Sequence, residues 1–112
     1  MSNYQNVFPN QLGQLAVTTS YVTLYTVPSN TRTYLKQIDI CNTTSGAVTI
    51  FISLVPSAGT AGASNALYFG QSVPANTTLS YTGVQVLLSG VTIQIKGGST
   101  GLTVTASGGE AV

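Results

Sequence analysis

The stretch VTIQIK, residues 91–96, alternates without a fault: Val91, Ile93 and Ile95 on one side, Thr92, Gln94 and Lys96 on the other. Alternation of this kind over four to eight residues marks a strand with one buried face. The period recurs along the chain. In GLTVTAS, Leu102, Val104 and Ala106 point one way. In AVTIFISLV, Val48, Ile50, Ile52 and Leu54 oppose Thr49, Phe51, Ser53 and Val55. SYVTLYTVP sets Val22, Leu24 and Thr26 against Tyr21, Thr23 and Tyr25. TYLKQIDIC places Tyr34, Ile38 and Ile40 against Leu35, Gln37, Asp39 and Cys41.

Turn residues cut these runs apart: VPSNT, NTTSG, VPSAGTAGASN, VPANTT, LSG and KGGSTG. Strands are expected near 15–19, 21–27, 33–41, 46–55, 65–69, 77–82, 84–88, 91–96 and 101–106. SAGTAGASNA is too rich in Gly and Ser for a helix and reads as a long, mobile loop. Many short strands with no helical stripe predict an all-β fold. The expected form is a two-sheet antiparallel β-sandwich, jelly-roll-like, with a closed barrel as the alternative answer to the edge-strand problem. Strand order does not follow from the pattern.

The first fourteen residues, MSNYQNVFPNQLGQ, show neither strand nor helix period. Tyr4, Val7, Phe8 and Leu12 are spaced irregularly around Pro9. A loose terminus is one reading. Aromatic residues are scarce in disordered tails, however, so an extended arm docking on a neighbour is the other. The expected organisation is an N-terminal arm over 1–14 and one sandwich domain over 15–112.

Composition sharpens this picture. The chain has 112 residues, of which 4% are charged and 43% hydrophobic, and its net charge is +1. An average chain is about 25% charged. A free monomer normally keeps an ionic coat, and near-neutral proteins associate more readily. A subunit of an ordered assembly is therefore expected, against the plainer reading of a secreted protein with a Thr/Ser surface. Arg32, Lys36 and Lys96 are too few and scattered to neutralise nucleic-acid phosphates. No apolar run approaches the ~20 residues of a membrane span. No signal peptide is visible at the start, so synthesis in a cytoplasm is expected. On that footing the sequons at Asn42 and Asn76 are accidental.

Candidate chemistry is thin. Without His, the commonest general base is missing. Asp39 and Glu110 are the only carboxylates, and Glu110 sits in a terminal GGEAV that reads as a loose end. Cys41 lacks an activating His and reads as a small half-buried apolar residue. No catalytic residue, metal site or cofactor is expected. Lys36 and Asp39, three apart, face opposite ways in a regular strand. Lys36 then either snorkels beside Tyr34 and Ile38 or sits in a bulge that shifts the register. A buried Asp39 would need Arg32 or Lys96 as partner. Tyr21 and Tyr25, on one strand face, could stack on a glycan or pack at a protein contact.

The runs LYTVPSNTRTYLKQIDICNTTSGAVTIFISL (24–54) and PANTTLSYTGVQVLLSGVTIQIKGGSTGLTVTASGGE (74–110) resemble a recurring domain of small tailed-bacteriophage virion proteins. The resemblance rests on a YTVP strand end, the LKQIDICNTT strand and the ANTT turn. It implies a non-enzymatic sandwich in the virion, made in the host cytoplasm. The roles it implies are capsid decoration (cement), neck, or tail-fibre and baseplate component. It also implies homotrimers that bind the major capsid protein or other virion proteins. On this reading the interface draws on Tyr4, Val7, Phe8, Pro9, Leu12, Tyr21, Tyr25, Arg32, Lys36 and Asp39. Loss of residues 1–14 is expected to abolish particle binding and spare the fold. The fibre alternative would use exposed tyrosines for host glycans.

Overall fold

The structure, a computed structural model, describes residues 6–112. These form eight strands and one short 3-10 turn: β1 (Val7–Ala16), β2 (Val22–Thr26), β3 (Arg32–Asn42), β4 (Val48–Val55), β5 (Ala66–Val73), β6 (Thr78–Leu87), β7 (Thr92–Gly97) and β8 (Leu102–Ala111), with the turn at Ala63–Asn65 before β5. Two antiparallel four-stranded sheets result, in the orders β1-β8-β3-β6 and β2-β7-β4-β5. Pairing is nested: β1 with β8, β2 with β7, β3 with β6, β4 with β5. That is a long hairpin folded over on itself, the topology of a jelly roll. The expected sandwich is the one observed.

The core lies between the two inner faces. The first sheet contributes Leu12, Leu35, Ile38, Ile40, Leu102, Val104 and Ala106. The second contributes Val48, Ile50, Ile52, Val73, Ile93 and Ile95. The regular strands bury the side that their alternation marks. Ser53 and Val55, expected on the outer side of β4, are buried as well. The segment 56–65 folds back there, and Ser53 Oγ donates to the Gly62 carbonyl (3.3 Å). This stretch, read from the sequence as a long, mobile loop, is a loop tied by Asn65, whose side chain donates to Thr60 O (2.9 Å) and accepts from Gly62 N–H (3.1 Å).

Three expectations need correction. Residues 7–14 do not stand off as an arm. They are most of β1, running along β8 from Val7 opposite Ala111 to Ala16 opposite Thr103. A register shift between Gln11 and Gly13 hides their period and turns Leu12 into the core. Residues 77–82 and 84–88 are one strand, β6, widened near Gly83 where Gln37 pairs Thr82 and Leu35 pairs Gln85. The GGEAV end is not loose, because β8 runs through Ala111. Asn6 and Val112 close the sheet by exchanging backbone hydrogen bonds (3.3 and 2.9 Å).

The two Asn-Thr-Thr segments meet at one end of the sandwich. Asn42 N–H donates to Thr77 O (2.9 Å) and Asn76 N–H to Thr44 O (3.1 Å). Asn42 is 1% exposed, too buried to accept a glycan as the fold stands. Its amide donates to Gly46 O and Val73 O (both 2.9 Å), and its Oδ1 accepts from Thr44 N–H (2.9 Å). All its bonding groups are thereby used, as burial of an amide requires.

Candidate functional site

β3 carries the densest charge, and its geometry turns on one residue. The register shifts between Leu35 and Gln37 against both neighbours, so Lys36 sits in a bulge. Beyond it the parity flips. Leu35, Ile38 and Ile40 are buried, while Tyr34, Gln37 and Asp39 look outward. Lys36 is exposed on that outer face. Asp39 accepts from Ser80 Oγ (2.7 Å) and from Gln37 Nε2 (3.1 and 3.2 Å). These neutral donors bond a carboxylate that is only half-buried. Lys96 projects from the other sheet.

Beside the bulge, β8 has no side chains at Gly108 and Gly109. The gap is a shallow groove of about 400 Å³ lined by Val7, Pro9, Tyr34, Lys36, Gly108 and Gly109. The close approach of β3 requires glycine at 108: a Cβ there would lie 1.9 Å from the Tyr34 carbonyl oxygen. Val7, Pro9 and Lys36 from the expected interface set thus come together, joined by Tyr34, which the sequence reading placed on the buried side. Phe8 is exposed nearby in β1, and Arg32 is exposed at the start of β3. Tyr4 lies outside the described residues.

Leu12 and Tyr25 do not belong to that set. Leu12 is core, 7% exposed. The shift between Thr23 and Tyr25 turns the Tyr25 ring inward opposite Ile93, where it packs on the core. Its hydroxyl donates to Glu110 Oε2 (2.5 Å) and accepts from Thr33 Oγ1 (2.7 Å). Asn10 Nδ2 donates to Glu110 Oε1 (2.8 Å). One carboxylate therefore fastens β1, β2 and β8 together at the end of the sandwich, with β3 joined through Thr33. Burial foremost, then the hydrogen bond and charge of Glu110, push the Tyr25 phenol up to about 12, against an opposing contribution from Thr33.

Tyr21 is separated from Tyr25 by this shift, so the two do not form one stacking platform. The Lys96 ammonium lies 4.9 Å from the Tyr21 ring centre and 4.8 Å from that of Phe51. Phe51 meets Phe69 edge-on at 5.2 Å. Tyr21, Lys96, Phe51 and Phe69 make a row across the outer face of the second sheet, with the cation over two of its rings. Burial and the neighbouring Tyr81 raise the Tyr68 phenol as well. Among the described residues no cluster of three His, Cys, Asp or Glu could hold a metal ion. None of their helices is long and apolar enough to cross a membrane.

Solved structures share this architecture. A chain from the infectious bursal disease virus Gx strain superposes with a TM-score of 0.50 at 16% identity, over 98% of this chain and 32% of that one. A chain of the T13 particle of infectious bursal disease virus gives 0.52 at 12%, over 98% and 31%. A chain from the disulfide-linked pili of Bacillus endospore appendages gives 0.53 at 14%, over 95% and 88%. What they share is the fold. This chain spans about a third of the length of the viral chains and most of the pilus chain. No protein-family model and no curated protein sequence matches it.

Proposed function

We propose that this chain is a non-enzymatic structural protein of a bacteriophage particle, a decoration (cement) subunit that binds the major capsid protein and ties shell subunits together. The observation that carries the reading is the outer surface. It exposes Val7, Phe8, Phe69, Val84, Val86 and Leu88 while having almost no ionic groups. Val84, Val86 and the adjoining Leu88 follow one another along β6, at the edge opposite Val7 and Phe8, and exposed apolar residues grouped in this way mark surfaces that another protein covers. Both viral and pilus neighbours build on this sandwich, which supports a subunit role at the level of fold. The groove edged by Val7, Pro9 and Tyr34 adds an apolar, largely backbone-walled contact site. On this reading the chain is made in the host cytoplasm and resides in the virion.

A second reading, a repeated module of a neck, tail fibre or baseplate, is favoured by one observation: the pilus chain is matched over 88% of its length. Glycan binding by such a module would have to use Phe69 or Phe8, since Tyr25 is turned inward and Lys96 covers Tyr21. Purified particles from the source lysate separate these outcomes. Decoration expects the chain in the particle fraction and sandwich-sized density on the shell by electron cryomicroscopy. Density on the tail supports the second reading. Recovery only in the soluble fraction overturns both.

A further inference from the structure

Each sheet leaves two edges with a row of unpaired backbone groups, and an unprotected edge is a template for another strand. Among the described residues those edges are β1, β6, β2 and β5. Three are blunted. β2 has 5 residues and a register shift. β5 has two register shifts and Gly70 in the left-handed region (φ 74). β1 has Pro9, which lacks a donor, and the shift at Leu12. β6 is different. It is 10 residues long with neither proline nor charge, and its one irregularity is the widening at Gly83. Beside this edge Val84, Val86 and Leu88 are 61%, 52% and 55% exposed at alternate positions.

We propose that β6 pairs antiparallel with β6 of a second copy of this chain, about a two-fold axis, to make one continuous eight-stranded sheet. A register centred on Val86 uses the last part of β6 and the adjoining Leu88, setting Val86 against its equivalent and Val84 against Leu88, so the exposed apolar residues of both copies cover one another. Charge selects the occupant. No charged residue occurs from Ile40 through Ile95, so self-pairing brings no like charges together. A charged partner strand would lose hydration against an edge strand that carries no charge of its own, Lys36 and Asp39 lying one strand further in on β3. A two-fold contact uses the same patch twice and closes without a filament. One strand pair is small beside the roughly 1,200–2,000 Å² of a stable interface, so the free dimer is weak and gains from being held in a multivalent array. The trimer implied by the family resemblance would need a different contact, between two unlike edges.

The inference rests on reading the chain as an assembly subunit, and sedimentation of the full chain tests it separately. From micromolar to millimolar concentration, the mass is expected to rise from 11.5 kDa towards twice that value. Val86→Lys sets two cations opposite each other and is expected to weaken association at least tenfold. Val86→Thr and, on edge strand β2 of the other sheet, Val22→Lys are expected to leave it within about twofold, the size of an ordinary context effect. A chain that stays monomeric, a trimeric mass, or association lost in Val22→Lys and kept in Val86→Lys overturns the proposal. A monomer that still co-purifies with particles overturns the strand pairing alone. A β6 dimer found only in the soluble fraction upholds it and overturns the virion reading.

Discussion

Tyr25 shows how much one side chain can connect. Its hydroxyl lies between Glu110 and Thr33, and its ring lies on the core. Tyr25→Phe keeps the ring and removes the hydroxyl, leaving the carboxylate with one donor fewer. A loss of about 1–3 kcal/mol in denaturant unfolding is expected. The pH dependence has a definite sign. The folded pKa is raised from 10.0 to about 12, so the contribution is complete below about 10 and disappears as pH rises through about 12. Stability curves of the two proteins should therefore converge over that interval. Parallel curves through it would refute the assigned role. None of this is legible in the sequence, because Tyr25 and Glu110 are 85 positions apart and alternation alone puts Tyr25 on the outer face. Asn42 escaped for a related reason. As part of NTT it resembles any turn residue, and only the meeting of two such turns buries it.

At the scale of elements, legibility follows regularity. β7 pairs β4 without a shift, and the sequence shows its buried face unaided. Where a strand contains a bulge, one extra residue inverts the parity of everything beyond it. That happens near Leu12, Leu24 and Lys36: at the first no period was visible, and at the other two the expected faces were wrong. The bulge at Lys36 also sets a requirement on its neighbour β8. Gly108→Ala drives a methyl into the Tyr34 carbonyl, which is backbone and cannot turn aside. Gly109→Ala meets the Val7 side chain at 3.1 Å, which can rotate. Denaturant midpoints should show a loss of about 2–3 kcal/mol or more for the first and less than about 1 kcal/mol for the second. Equal losses would mean that the groove floor is not set by the close approach of β3.

The whole molecule is nested, and its outermost pair, β1 with β8, joins the first strand to the last. The sequence revealed the sandwich but not this nesting, since strand order depends on contacts that leave no local pattern. The consequence for residues 1–14 is a reversal of the first expectation. Their removal strips β8 of a partner and takes Leu12 from the core. Losing Leu12 alone removes about 2–5 kcal/mol from a domain whose total is about 5–15 kcal/mol. The truncated chain is expected to show no cooperative thermal transition by circular dichroism. A melt within a few degrees of the full chain would show β1 to be dispensable.

The bond between Asn6 and Val112 has a use outside any particle. An entry point and an exit point held side by side make the sandwich a cassette. Spliced into a surface loop of an unrelated protein, it would hold the two stumps of that loop close together and leave the recipient's own fold undisturbed.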